Sequence, residues 1–393
     1  MDADDSRISK RVRAVPASGI RRFFDVVSSM DSVISLSVGE PDFVTPWVIR
    51  DAAMRSIENG HTHYTSNYGM QELRRRLADH LHRLYQLDFD AEGELLITAG
   101  VSEGLDAAVR AIIDPGDEVI LQDPAYVAYT PAIQFAGGVP VYAPTSEANA
   151  FALDPAVVEA LVTDRTKALL LGFPANPTGA VLSAEQLAGI AGIAIRHDLL
   201  VISDEIYDRL VYGEKHVAIA SLPGMRERTI TLGGFSKNYA MTGWRVGYVA
   251  APYPLLEAVV KVHQYVMMSA PTAAQHAAIE ALESGEEYVV AMRDEYDRRR
   301  RLMWQGFVSM GLSCVEPRGA FYAFPNVSVS GLDDEAFAER LIQEERVAVV
   351  PGSAFGVAGA GHVRACYATS FAEIEEALER IQRFVATHQG SAK

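Results

Sequence analysis

The chain has 393 residues, of which 49% are hydrophobic and 22% charged, and its formal net charge is −16. This length predicts two domains, and the acidic charge argues against nucleic acid or an anionic membrane as a partner. The two cysteines exclude a disulfide scaffold and lack the spacing of metal ligands, so no metal site is predicted.

The N-terminal part of the chain predicts no targeting segment. Residues 1–14 are mostly charged and polar and are expected to form a mobile arm. No apolar run reaches the roughly 20 residues that span a bilayer, so we expect a cytoplasmic protein. A short helix is predicted over 16–29 and a short strand over 33–38. The turn at Gly39 would let the backbone approach a ligand closely, although the local sequence favours an ordinary turn at a strand end.

From residue 46 onwards, helices and strands alternate. Helices over 46–59 and 70–85 precede a regular succession of strands and helices that ends near residue 203. Such alternation predicts an α/β fold: a mostly parallel sheet with helices on both faces and ligands at the carboxyl ends of the strands. The predicted strands span 94–98, 118–122, 139–142, 168–173 and 199–203, and the helices between them span 101–113, 126–136, 155–161 and 183–197.

The first of these strands ends in a glycine that precedes a helix. Gly100 permits close approach of a ligand, and the free N–H groups of Val101, Ser102 and Glu103 lie at the positive end of the helix dipole. Any strand-to-helix turn has these features, so the signal is weak alone. Beside Lys237, described next, it fits a bound phosphate.

The stretch 229–250 places a lysine between two buried strands. Its first apolar run breaks at two glycines, presents Ser236 and Lys237, and reaches Arg245 just before the second apolar run. A free ammonium is costly in such a setting, and less costly as a neutral amine or as an imine with a carbonyl compound. Of the six lysines in the chain, Lys237 is the one with this glycine-flanked apolar setting and a nearby cation. A surface lysine in a turn is the alternative that the local sequence leaves open.

Polar side chains also follow other predicted strands. Asp204 ends an almost wholly apolar strand and needs a compensating partner or a proton, unless it caps a following helix. Tyr207 is locally best explained as a buried core tyrosine. Asn176 is the strong polar donor of an irregular loop over 173–179, whose prolines and glycine are also typical of a plain turn.

The C-terminal part predicts a smaller α+β domain. A long helix over 286–307 carries an arginine run at 298–301, which we interpret as a solvated or inter-domain face. Arg364 lies in an apolar alternation and needs a planar anion, such as an α-carboxylate, or an internal salt bridge. The predicted strands lie near 313–315, 320–324, 347–350 and 362–367, the helices near 334–345 and 371–388, and the domains are an arm over 1–14, a small domain from 15–45 and 291–393, and a large domain over 46–290.

The run 234–247, which contains Lys237 and Arg245, resembles the lysine attachment signature of class I/II aminotransferases, and further matches extend over about 34–367. These enzymes have the aspartate-aminotransferase fold and use pyridoxal 5'-phosphate (PLP). The resemblance implies that Lys237 is the Schiff-base lysine, which binds the cofactor aldehyde and, once freed, moves the proton between substrate and cofactor. It also implies that Asp204 keeps the pyridine nitrogen protonated, and that Tyr207 and Asn176 hydrogen-bond the phenolic oxygen.

The same resemblance assigns a role to every other candidate. One departure is Gly234, which stands where many relatives have a phosphate-binding serine, and this puts one hydroxyl contact in question. Without the resemblance, Tyr64 and Tyr126 would both be interpreted as packing residues. The implied roles are phosphate binding for Val101, Ser102, Ser236 and Arg245, ring stacking for Tyr126, binding of the substrate carboxylate for Gly39, Asn176 and Arg364, and, for Tyr64, a contact with the partner's cofactor phosphate in a homodimer.

The predicted function is an aminotransferase that moves an amino group between an L-amino acid and a 2-oxo acid through PLP and pyridoxamine phosphate. A PLP-dependent lyase on the same fold is the alternative, since the scaffold residues are shared. A non-enzymatic PLP-binding regulatory protein is less well supported, because fewer than about 30 residues precede the matching region and the chain is acidic. Ser102 stands where some dicarboxylate-specific relatives have a lysine, which disfavours strict aspartate specificity. The predicted N-terminal helix with Ile20 and the tyrosines Tyr64, Tyr68 and Tyr322 would suit a substrate with an apolar or aromatic side chain.

Overall fold

The computed structural model describes residues 7–16, 30 and 32–388. The helix predicted over 16–29 falls almost entirely outside these residues. Residues 10–14, predicted as part of a mobile arm, form the short helix α1. Within this helix, Arg11 Nη1 donates a hydrogen bond to the Phe135 carbonyl oxygen (3.2 Å). Within the described ranges, no helix is long and apolar enough to cross a membrane.

The described residues contain three sheets. The strands are β1 (Ile34–Ser35), β2 (Leu95–Thr98), β3 (Glu118–Asp123), β4 (Val139–Pro144), β5 (Thr166–Gly172), β6 (Leu200–Asp204), β7 (Thr229–Gly234), β8 (Gly247–Ala250), β9 (Tyr322–Ala323), β10 (Val347–Ala348), β11 (Val350–Pro351) and β12 (Val363–Cys366). The helices are α1 (Lys10–Ala14), α2 (Trp47–Glu58), α3 (Gln71–Tyr85), α4 (Val101–Ile112), α5 (Tyr129–Ala136), α6 (Pro155–Leu161), α7 (Ala184–Arg196), α8 (Tyr253–Val266), α9 (Thr272–Ser284), α10 (Glu286–Ser309), α11 (Asp334–Glu345) and α12 (Phe371–His388).

The central sheet has seven strands in the order β2-β8-β7-β6-β5-β3-β4. Strand β8 runs antiparallel to both of its neighbours, whereas all the other neighbours are parallel. Every strand except β8 therefore points the same way, and the loops after β2, β3, β5, β6 and β7 open on one edge. The prediction of a mostly parallel sheet is confirmed, and this edge is where ligands bind in open α/β sheets.

Helices cover both faces of the central sheet. Successive residues of a strand point to opposite faces. In β5, Ala168 and Leu170 pack in a core with α4, α5 and α8, whereas Leu169 and Leu171 pack in a core with α6 and α7. Burial on both faces explains why these strands are continuous apolar runs in the sequence. The predicted α/β class is confirmed.

The smaller part of the molecule is α+β, as predicted. Strands β11, β12 and β9 form an antiparallel sheet, and β1 pairs in parallel with β10. One apolar core joins β1, β9, β10 and β12 to helices α10, α11 and α12. The strand predicted near 313–315 does not form. Ser313 O accepts a hydrogen bond from Asn326 N (2.7 Å), but the segment builds no ladder of such bonds with a neighbouring strand.

The arginine run at 298–301 is solvated only in part. Arg299 and Arg300 are 6% and 7% exposed, and the other two arginines are largely exposed. Arg299 pairs with Asp42 (2.9 Å) and Arg300 with Glu316 (2.7 Å), since a buried charge needs a partner. Of the interpretation as a solvated or inter-domain face, the solvated alternative is therefore wrong for these two residues.

Candidate active site

A cavity of about 430 Å³ lies at the edge of the central sheet where the loops after the parallel strands meet. Tyr64 does not line this cavity, and its side chain is 82% exposed in the single chain. The predicted site residues that line it are Gly39, Val101, Ser102, Tyr126, Asn176, Asp204, Tyr207, Ser236, Lys237, Arg245 and Arg364.

Lys237 follows β7 and reaches across to the smaller part of the molecule. Its Nζ donates a hydrogen bond to the Gly39 carbonyl oxygen (2.7 Å), and the Phe321 ring centroid lies 5.7 Å from the same atom. Burial lowers the pKa of Lys237 from its usual value to about 8, because the ammonium loses hydration in these surroundings. The amine is therefore neutral much more often than an ordinary lysine at the same pH, which disagrees with the alternative of a surface turn lysine.

Asp204 is the last residue of β6 and is 6% exposed. Its Oδ2 accepts a hydrogen bond from the Tyr129 hydroxyl (2.8 Å), and its Oδ1 accepts one from the backbone N–H of Ile206 (3.2 Å). Burial raises the pKa of Asp204 to about 6, and these two hydrogen bonds oppose the rise. No helix follows Asp204, so the alternative that it caps a helix is wrong.

Tyr129 is a site residue that the sequence did not reveal. Its ring lies at the start of α5, and its hydroxyl occupies the space in front of Gly172, at the end of β5. A Cβ on Gly172 would lie 2.3 Å from that hydroxyl, so the glycine makes room for the contact with Asp204. The available signal was position alone, because Tyr129 stands three residues after Tyr126 in the predicted helix 126–136.

Arg364 lies on β12 with its side chain almost wholly buried (3% exposed). Its Nη1 donates to Asn176 Oδ1 (3.0 Å) and its Nη2 to the Ser37 carbonyl oxygen (2.5 Å). The guanidinium carbon lies 4.6 Å from the Tyr322 ring centroid and 4.9 Å from that of Phe355. Its Nε has no hydrogen-bond partner, and no carboxylate in the described part of the chain pairs with it. The alternative of an internal salt bridge is therefore wrong.

Tyr207 is buried in the core of the smaller part and also faces the cavity. Its hydroxyl lies 2.7 Å from that of Tyr322, whose place in the site the sequence did not specify. The Tyr322 hydroxyl in turn approaches Gly39 so closely that a Cβ there would lie 2.3 Å away. Gly39 is thus more than an ordinary turn residue, because its missing side chain allows Tyr322 to reach Tyr207.

The opposite end of the cavity is built from close backbone contacts. Gly100 has φ +85°, and a Cβ there would lie 2.6 Å from Arg245 Nη2, so the guanidinium rests directly on the start of α4. Arg245 Nη1 donates to the Thr242 carbonyl oxygen (2.9 Å), which fixes its direction. Gly234 stands where many relatives have a serine. A Cβ on Gly234 would lie 3.1 Å from Val101, so a side chain at this position would be crowded.

Comparison with known proteins agrees with this geometry. The model of the family described as aminotransferase class I and II matches residues 31–381. The putative aminotransferase YugH of Bacillus subtilis (strain 168) is 49% identical over 380 residues, 97% of this chain and 98% of that protein. The aspartate aminotransferase of Pyrococcus abyssi (strain GE5 / Orsay) is 45% identical over 96% of this chain and 97% of that protein. The crystal structure of an aromatic aminotransferase from Pyrococcus horikoshii OT3 has a TM-score of 0.89 and 44% identity, covering 93% of this chain and 99% of that chain.

These similarities extend over nearly the whole length of both partners in each comparison. They include the central sheet, the smaller α+β part and the cavity between them. The chain belongs to the class I and II aminotransferases, which are PLP-dependent enzymes of the aspartate-aminotransferase fold.

Proposed function

We propose that this chain transfers the amino group of an L-amino acid to a 2-oxo acid, with PLP held covalently at Lys237. The observation that carries the proposal is one cavity that holds an amine, a buried carboxylate and a buried guanidinium, the last two without ionic partners among the described residues. PLP and an amino acid together supply the missing counterparts, namely an aldehyde, a pyridine nitrogen and an α-carboxylate. The residues present therefore fit the cofactor of the family.

Lys237 is the proposed catalytic base. When bound, PLP supplies the electron sink that allows the bond between the substrate's α-carbon and its hydrogen to break. Burial lowers the pKa of the Lys237 amine to about 8. This amine takes up the proton from the substrate's α-carbon and later returns a proton to the cofactor. The hydrogen bond to the Gly39 carbonyl oxygen holds Nζ in place for this transfer.

Asp204 and Tyr207 are proposed to orient and tune the cofactor ring. Asp204 offers its carboxylate to the pyridine nitrogen, and the Tyr129 hydroxyl stabilises the ionised form of that carboxylate. Burial raises the pKa of Tyr207 well above its ordinary value, so its hydroxyl remains a hydrogen-bond donor for the phenolic oxygen. The Asn176 amide and the face of the Tyr126 ring complete this set.

Charged groups at the two ends of the cavity bind the two anions. At one end, Arg245, the hydroxyls of Ser102 and Ser236, and the first N–H groups of α4 are placed for a phosphate. At the other end, the proposed ligand of Arg364 is a planar carboxylate, because Arg364 lines the cavity and has no carboxylate partner among the described residues.

We propose an apolar or aromatic amino donor. In the described ranges, the cationic side chains that line the cavity are Lys237, Arg245 and Arg364, and each already has a role. Among the described residues of one chain, no further cation lines the cavity for a second substrate carboxylate. Ser102 also stands where some dicarboxylate-specific relatives have a lysine. The relatives named above include both an aspartate and an aromatic aminotransferase. Initial half-reaction rates across the amino acids test the proposal, and a strong preference for aspartate would overturn it.

We also propose a homodimer in which Tyr64 reaches the cofactor phosphate of the partner subunit. The high exposure of Tyr64 supports this, as does the 87% exposure of Tyr265, because large aromatic side chains are enriched at interfaces. We further propose a division into a small domain (15–45 and 291–393) and a large domain (46–290).

We also propose a cytoplasmic location, which the free thiols of Cys314 and Cys366 support.

A half-reaction experiment tests the proposed function. The purified chain incubated with PLP should develop near-visible absorbance that borohydride fixes to Lys237. Addition of an amino acid alone should then convert that absorbance to the spectrum of pyridoxamine phosphate and release one 2-oxo acid per site. Release of ammonia with an unchanged cofactor spectrum would instead indicate a lyase, and no absorbance change with PLP would refute the proposal.

A further inference from the structure

Asp123 is a buried carboxylate that the roles above do not use. It ends β3, is 6% exposed, and has no cation partner in the described part of the chain. Its own backbone is fixed, because Thr145 donates to its carbonyl oxygen through both N (2.8 Å) and Oγ1 (2.9 Å). A carboxylate held in this way without a cation needs other hydrogen-bond donors.

The donor that meets this carboxylate comes from a segment of the smaller part, residues 355–358, whereas Asp123 Oδ1 has no hydrogen-bond partner in the described part of the chain. The backbone N–H of Ala358, at the start of a short 3₁₀ turn, donates to Asp123 Oδ2 (3.2 Å). Two residues along the chain from Asp123, the N–H of Ala125 donates to the Phe355 carbonyl oxygen (2.9 Å). Between these contacts lies Gly356, where a Cβ would be 1.8 Å from Asp123 Oδ1. The carboxylate therefore caps the turn, because the first N–H groups of a helical turn lack internal partners.

The segment that Asp123 holds carries a ring that packs against Arg364. Phe355 is 5% exposed and lies against the Arg364 guanidinium, with 4.9 Å from the ring centroid to the guanidinium carbon. The Tyr322 ring lies at 4.6 Å from the same carbon, so two rings hold the guanidinium. A shift of residues 355–358 would loosen one of these two contacts and change the direction of the Arg364 donors.

We propose that Asp123 is a positioning residue for the substrate carboxylate, acting through residues 355–358 and the Phe355 ring on Arg364. The inference rests on the proposed function, since it concerns the same carboxylate site. Asp123 is not among the residues that line the cavity. It ties the carboxylate-binding arginine to the end of β3 in the central sheet.

The test compares L-phenylalanine with 2-phenylethylamine, which lacks only the α-carboxylate, and adds 3-phenylpropionate, which keeps the carboxylate and lacks the amine. For the PLP-loaded chain, we would measure half-reactions with L-phenylalanine and with 2-phenylethylamine, and the binding of 3-phenylpropionate by calorimetry. In Asp123→Ala, we expect the half-saturating concentration of the amino acid and the dissociation constant of 3-phenylpropionate to rise about tenfold, the size expected for losing a charged hydrogen-bond acceptor. The rate with the amine should stay within about twofold, because the amine does not use Arg364. Asp123→Asn keeps an acceptor oxygen, so its half-saturating concentration and dissociation constant should lie between those of the unaltered chain and those of Asp123→Ala.

A double-mutant cycle separates this role from general support of the fold. Phe355→Leu should raise the same two constants, and adding Asp123→Ala to it should produce little further change, because both act through one contact. Equal losses for amino acid and amine, additive effects, or an unchanged dissociation constant would overturn the proposal. If Asp123→Ala does not fold, Asp123→Asn and Gly356→Ala undergo the same measurements. If the unaltered chain shows no amino-acid-dependent spectral change, the proposed function has failed instead.

Discussion

Replacing Tyr129 with phenylalanine should raise the pKa of Asp204. The Tyr129 hydroxyl is buried and donates to Oδ2 at 2.8 Å, and burial has already raised the pKa of this carboxyl to about 6. A hydrogen bond to a charged group contributes about 1.5–3 kcal/mol. At 1.36 kcal/mol for each pKa unit, its loss corresponds to a rise of about 1–2 units. In the variant, much of Asp204 should therefore be protonated at pH 7.

The assay is the pH dependence of the free energy of unfolding of the cofactor-free chain. The folded-state pKa of Asp204 lies above the ordinary 3.8, so the folded protein binds this proton more tightly than the unfolded chain does. The contribution of Asp204 to stability is therefore most favourable below pH 3.8 and declines as the pH rises to about 6. In Tyr129→Phe, the decline should continue to about pH 7–8.

A matched control isolates the carboxylate effect. Tyr212 is also buried, and its hydroxyl donates to the Ala320 carbonyl oxygen (2.6 Å), away from Asp204. Tyr212→Phe should lower the free energy of unfolding without moving the pH range of the decline. In the PLP-loaded Tyr129→Phe enzyme, the loss of half-reaction rate on the acid side of the pH profile should also occur at a higher pH. Identical pH profiles for the two variants would refute the reasoning.

Further predictions concern the amine and the two anion sites. Lys237→Ala should abolish the borohydride-fixable absorbance, and normal transamination by this variant would contradict the assigned role. In the unaltered cofactor-free chain, the rate of PLP capture should rise as the pH passes about 8, because the neutral amine is the nucleophile; a flat stopped-flow profile from pH 6.5 to 9 would contradict this. Arg364→Lys should raise the KM for amino acids by about 100-fold or more, because the bidentate fork is lost. A KM within a few-fold of that of the unaltered chain would contradict this assignment. Gly100→Ala should weaken PLP phosphate binding because its Cβ would meet Arg245 at 2.6 Å, whereas Gly116→Ala, with no atom within 4 Å and a similar φ, serves as the control in a cofactor titration.

Much of the site could be predicted because parallel strands open on the same edge of a sheet. The apolar runs before Asn176, Asp204 and Lys237 identify buried strands, and strand direction then brings the residues that follow them together. The same reasoning did not describe α8 and α9. Short strands such as β9 and β11, and the failed strand near 313–315, depend on partners that are distant in sequence.

The sequence by itself determined the α/β class, the succession of strands in the central sheet and the residue types presented at the edge of that sheet, because these follow from local periodicity. Only the tertiary structure decided which side chains meet there. The Tyr129–Asp204 contact spans 75 residues, and that of Arg364 with Ser37 spans 327. Contacts between such distant residues, like those of Asp123 with residues 356–358, arise from the packing of the central sheet against the smaller part. No local pattern in the chain specifies which atoms then come within hydrogen-bonding distance.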